Sequence, residues 1–112
     1  MITFEELKNT KNFGDITLEE YEAASKEDIH KMIFAEAMRD SRRVMCELGT
    51  KKLLSPNYSE AAKARLRQML TAFSTATDDE FIEHYMYASQ ADGDAWIDRK
   101  CAEFRKRIAK EN

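Results

Sequence analysis

Proline occurs once in this 112-residue chain and glycine three times. That scarcity leaves too little turn chemistry for a many-stranded sheet and favours long helices. Cysteine occurs twice, at Cys46 and Cys101, with no Cys-x-x-Cys spacing. Each falls inside a predicted helix and is expected as a buried, reduced thiol. No apolar stretch approaches the ~18 residues of a membrane span. The opening Met1-Ile2-Thr3-Phe4-Glu5-Glu6 is acidic early and holds no apolar run of signal-peptide length. A cytoplasmic location, in the chain's own cell or a host's, is the expectation.

Catalytic and metal signatures are also missing. The sequence has no Gly-rich phosphate loop, no nucleophile elbow and no His-Glu-x-x-His. Glu27-x-x-His30 is one Glu-x-x-His unit, and di-iron bundles need two plus further carboxylates. The other histidine, His84, has Phe81 three residues before it, so the second unit is absent. His30 is instead expected to be packed in an apolar stripe, and His84 to pair with Glu80 one turn earlier. No enzyme activity, no metal and no cofactor are expected.

What is present points to one helical domain, 1–112. Hydrophobic residues make up 43% and charged residues 35%, which argues against disorder. The net charge of −3 is unevenly spread. Residues 1–30 hold 3 basic and 8 acidic side chains, residues 31–76 hold 9 and 4, residues 77–93 hold none and 5, and residues 94–112 hold 6 and 4. Oppositely charged helices packed side by side are the plainer explanation. Separate patches used for partner choice are the sharper one.

Helix starts are legible. Thr3-Phe4-Glu5-Glu6, Thr17-Leu18-Glu19-Glu20 and Thr77-Asp78-Asp79-Glu80 each fit a capping box, in which hydroxyl and carboxylate satisfy two orphan backbone donors. Ser25-Lys26-Glu27-Asp28 is a weaker version. Ser55-Pro56 and Ser59 compete to start a later helix, and Asp94 after Gly93 suits the last one. The predicted elements are short helices at about 3–9 and 18–24, with a loop through 12–15 between them. A long helix follows at about 26–48, ended by Gly49, then helices at about 57–75, 78–89 and 95–110. On the long helix, Ile33, Ala37, Val44 and Leu48 form the expected core stripe, with Phe34, Ser41 and Met45 alongside. Glu36–Arg39 and Arg43–Glu47 are the expected ion pairs opposite. Met32, Ala35 and Cys46 also lie on that back side and suggest burial on more than one face. Further stripes are Ala62/Leu66/Met69/Leu70/Phe73, then Phe81/Ile82/Tyr85/Met86/Ser89, then Ile97/Cys101/Phe104/Ile108. The fold class is therefore all-α: a compact helical bundle with one long central helix, two short leading helices and three following ones.

A non-catalytic protein-binding module, an adaptor, inhibitor or regulator of the bacterial or phage accessory kind, is the leading functional expectation. Tyr87 and Trp96 fall off the stripes of their helices, beside Lys100 and Arg107. Aromatic and arginine residues anchor interfaces because they combine large area with a polar handle. Arg39 and Arg43 of the long helix complete the expected surface. The rival placement for Trp96 is over the short N-terminal helices, completing the core. A second reading is nucleic-acid association through Arg and Lys of residues 31–76 and 94–112. The helices about Thr75-Ala76-Thr77 imitate a helix-turn-helix, but the recognition helix would begin Asp78-Asp79-Glu80, the wrong charge for phosphate. A third reading is self-association, which a two-sided apolar long helix would serve.

Overall fold

The computed structural model describes residues 2–111. It is all-α, with no strand among the described residues. Six α-helices run in chain order: α1 (Phe4–Lys8), α2 (Leu18–Ala23), α3 (Lys26–Leu53), α4 (Glu60–Thr75), α5 (Asp78–Phe81) and α6 (Gln90–Glu111). Contacts divide the chain into two compact units, residues 1–41 and 42–112. The helix α3 is continuous through the division.

The first unit is held by local caps and by polar reach from α3. Both short helices start on complete capping boxes, Thr3 with Glu6 and Thr17 with Glu20. Ser25 and Asp28 close the same reciprocal pair at the start of α3, at 3.1 and 3.4 Å. Ile2, Leu7 and Ala35 are buried. The connecting loop, with a 3₁₀ turn at Phe13–Asp15, is tied down by α3. Arg39 donates to Asn12 Oδ1 and to the Leu7 carbonyl, each at 2.7 Å. The Gly14 N–H donates to Glu36 Oε1 at 3.1 Å. Glu36 and Arg39 are thus not paired with each other, as helical spacing suggested. The loop's backbone groups need partners and take both side chains.

The second unit has an aromatic core. Phe73 of α4 meets Phe81 edge-on at 4.9 Å and Tyr85 at 4.8 Å. Ala72, Ala76, Ile82, Ile97 and Cys101 are buried around them. Arg42 of α3 joins Asp78 Oδ1 at 2.8 Å and donates to the Phe73 carbonyl at 3.1 Å. It thereby ties the end of α4 to the start of α5. Thr77 caps α5 in a third complete box with Glu80.

Three expectations about helix limits are corrected here. First, α3 does not stop at Gly49 but continues to Leu53. No described glycine takes a positive φ, so Gly49 is no left-handed cap. It is a close-approach residue: a Cβ there would stand 2.7 Å from Leu70 Cδ2 of α4. Second, the 78–89 segment is not one α-helix. After α5 the chain widens into a π-turn at Ile82–Met86, in which the Tyr87 N–H donates to the Ile82 carbonyl five residues back at 2.9 Å. Third, α6 begins at Gln90 rather than after Asp94. Ser89 Oγ caps it by accepting the Asp92 N–H at 3.2 Å, and Gly93 lies inside the first turns. A side chain at Gly93 would press on Tyr85, 3.3 Å from the Cβ position.

The orientation of α3 is the largest correction. The expected core stripe is outside: Ile33 is 47% exposed, Val44 39% and Leu48 50%, and Ala37 is exposed with them. The inward side carries Ala35, Met38, Arg42, Cys46, Gly49 and Leu53, all buried or half-buried. At 100° per residue the two rows lie on opposite sides of the helix. Small residues and arginine stems on the inward side let neighbouring chain approach closely, which a bulky stripe would prevent.

Candidate binding surface

Of the six residues expected at a binding surface, Arg39 belongs to the first unit and the other five to the second. Arg39 is spent on the loop of the first unit, as described above. Arg43, exposed on α3, pairs with Glu47 at 3.1 Å. Tyr87 is half-buried at the end of the π-turn. Trp96 is a core residue, 4% exposed. Its ring stacks on Phe73 at 6.4 Å and on His84 at 6.1 Å. Burial in the second unit, away from any solvent-facing side of α6, removes it as an exposed anchor. The core it completes is the aromatic core of the second unit.

Lys100 and Arg107 do come together, with Thr75, Glu103 and Phe104, around a shallow recess of about 220 Å³. Lys100 is 13% exposed and lies 3.3 Å from Glu80 Oε2 and 4.0 Å from Glu103 Oε2. The Thr77 backbone N–H, and then Lys100, hold the Glu80 carboxyl below the usual glutamate value despite partial desolvation. The Arg107 guanidinium covers the Phe104 ring at 5.3 Å. Cationic groups here are already neutralised or stacked within the chain.

The histidines correct two further expectations. His30 is exposed rather than packed, because the side of α3 that carries it faces solvent. It lines an open recess of about 400 Å³ with Ile2, Glu6, Glu27, Lys31 and Phe34. His84 does not pair with Glu80. The π-turn breaks the i, i+4 register, and His84 lies over Trp96 with Nε2 3.7 Å from Glu83. Among the described residues no group of three or more His, Cys, Asp or Glu is placed to hold a metal ion. Both cysteines are free thiols. Desolvation pushes each thiol above its ordinary pKa, and Cys101 Sγ donates to the Gln68 carbonyl at 3.3 Å. Desolvation outweighs the nearby arginine in each case, Arg42 for Cys46 and Arg105 for Cys101, so neither thiol is activated.

Two basic residues of the nucleic-acid reading are engaged within the chain. Arg42 holds Asp78. Arg65 bridges Asp94 at 3.2 Å and Asp98 at 2.9 Å, and Asp98 first, then Asp94, raises its pKa against the pull of desolvation. A phosphate backbone would have to displace these carboxylates.

Two surface features were not anticipated. One is a recess of about 560 Å³ beside the π-turn, floored by Met69, Tyr85, Met86 and Ala88 and edged by Arg65 and Asp94. No sequence signal marks a π-turn, so this recess was invisible beforehand. The other is the outward row of α3, Ile33, Ala37, Val44 and Leu48. Its apolar spacing was plain in the sequence, and only its side was misjudged. The clue was Gly49 with Ala35 on the opposite side, the small residues of a closely packed face. Among the described residues no helix is long and apolar enough to cross a membrane. Comparison with protein-family models, curated proteins and solved structures finds no match to this chain.

Proposed function

We propose that this chain is a non-catalytic protein-binding module whose docking surface is the outward face of α3. The observation that carries the reading is the exposed row Ile33, Ala37, Val44 and Leu48. Single exposed apolar side chains are ordinary, but a row of them on one helix face is the mark of a contact surface. A helix face of this kind is read by a partner as anchors at helical spacing. Tyr87, Lys100 and Arg107 are assigned no direct part in it.

Photo-crosslinking tests the proposal. A photoreactive residue replaces Leu48 in one sample and exposed Arg99 in another, and each is irradiated in cell lysate. A discrete adduct from position 48, absent from position 99 and lost on Val44→Asp, is the expected result. No adduct at position 48 from folded protein would overturn it. Val44 is exposed, so Val44→Asp should leave the helical circular dichroism unchanged.

A further inference from the structure

The outward row of α3 has a symmetry of its own. The steps between Ile33, Ala37, Val44 and Leu48 are four, seven and four residues. That series reads the same in both directions about a point between Asp40 and Ser41. All four positions fall within about 60° of arc at 100° per residue. A helix carrying such a row is complementary to itself when turned end over end. An isologous contact has this property, since the same patch serves both subunits.

We propose that the occupant of this face is a second copy of the chain, with the two α3 helices packed antiparallel about that point. This rests on the reading that the face is a docking surface. In the antiparallel pair Ile33 of each copy meets Leu48 of the other, and Ala37 meets Val44. Small faces large at the inner positions, so the helices approach closely near the centre. A parallel pair would instead set Val44 on Val44 and Ala37 on Ala37, leaving one position crowded and the other hollow.

Charge selects the same direction. Leaving out Glu36, Arg39 and Arg42, which are engaged within the chain, residues 26–40 of α3 carry Lys26 and Lys31 against Glu27, Asp28 and Asp40, net −1. Residues 41–53 then carry Arg43, Lys51 and Lys52 against Glu47, net +2. Antiparallel packing sets the acidic half against the basic half, whereas parallel packing sets +2 against +2. Near the centre, exposed Asp40 of each copy comes beside Arg43 of the other. The helix dipoles also oppose, which favours antiparallel neighbours. Four partly exposed side chains per copy fall short of the roughly 800 Å² per partner of a standard interface. The pair is therefore weak and exchanges rapidly.

Sedimentation equilibrium of the purified chain across a concentration series tests this, using Ile33→Glu and Leu48→Lys singly and mixed. The wild type is expected to show concentration-dependent dimerisation. Each single variant is expected to be monomeric, because its altered residue meets an apolar one at both ends of a homodimer. The equimolar mixture is expected to regain dimers, with one native end and one new ion pair. A mixture that stays monomeric overturns the antiparallel register. A wild type that stays monomeric to millimolar concentration overturns self-pairing. The lysate adduct at position 48 then tells the two readings apart: an adduct leaves the docking face standing with a different occupant, and no adduct removes both.

Discussion

Gly49 of α3 and Leu70 of α4 meet with no room for a methyl group between them: the Cβ position lies 2.7 Å from Leu70 Cδ2 and 3.3 Å from Cγ. Leu66 Cδ1 stands at 3.5 Å from the same position. Gly49→Ala gains about 1 kcal/mol of helix propensity but overpacks the contact by roughly 1–3 kcal/mol. The net result is a loss of about 1 kcal/mol in urea denaturation. In a Leu70→Ala background the same change should stabilise by about 1 kcal/mol. A double-mutant cycle with no coupling would show that the contact does not restrict Gly49.

Trp96 is the only tryptophan, so its emission reports one site. Burial between Phe73 and His84 predicts a blue-shifted spectrum and weak acrylamide quenching. Trp96→Ala should cost about 3–5 kcal/mol, as for other large aromatic truncations in a core. Emission typical of solvent-exposed tryptophan from the folded protein would contradict the placement.

Arg39→Met removes the donors that hold the Leu7 carbonyl and Asn12 Oδ1. The expected loss is about 1–3 kcal/mol, the range for stranding buried polar groups. Amide exchange at Gly14, whose N–H is held by neighbouring Glu36, should accelerate in the variant. Amides of α4 and α6 serve as the internal control and should lose protection only through global unfolding.

Acid should act through the cap of α5. Glu80 has a folded-state pKa below its ordinary 4.5, so its ionised form stabilises the fold. That contribution is complete above the unfolded value and disappears as pH falls below 4.5 through the folded value. Stability followed by thermal denaturation between pH 6 and 3 should fall across this window. Glu80→Gln should flatten the fall, since the amide oxygen can still accept the Thr77 N–H but does not titrate. Glu6 and Glu20 are lowered by their own capping boxes in the same way, so some acid sensitivity remains.

Sequence reading succeeded where the determinant is local. Thr3, Thr17 and Thr77 each cap a helix through a residue three positions away, and the all-α class follows from such signals with the apolar periodicity. It failed where the determinant lies across space. Gly49 looks like a helix end until Leu70 is seen against it. Gly93 looks like a break before Asp94 until Tyr85 is seen against it, and Ser89 caps the helix instead. Periodicity gave the apolar row of α3 but could not say whether that row faces inward, because the opposite row of small residues and arginine stems also fits a packed side. For the expected surface, adjacency of Lys100 and Arg107 was readable from their spacing, whereas the burial of Trp96 depends on Phe73, 23 positions away in the chain.

The opposed rows of α3 make that helix editable. Substituting Ile33, Val44 or Leu48 with lysine or glutamate changes exposed surface and leaves Ala35, Arg42 and Gly49 to set the packing. A designer wanting a more polar surface would therefore alter the outward row alone, and one wanting to change the packing would alter only the inward one.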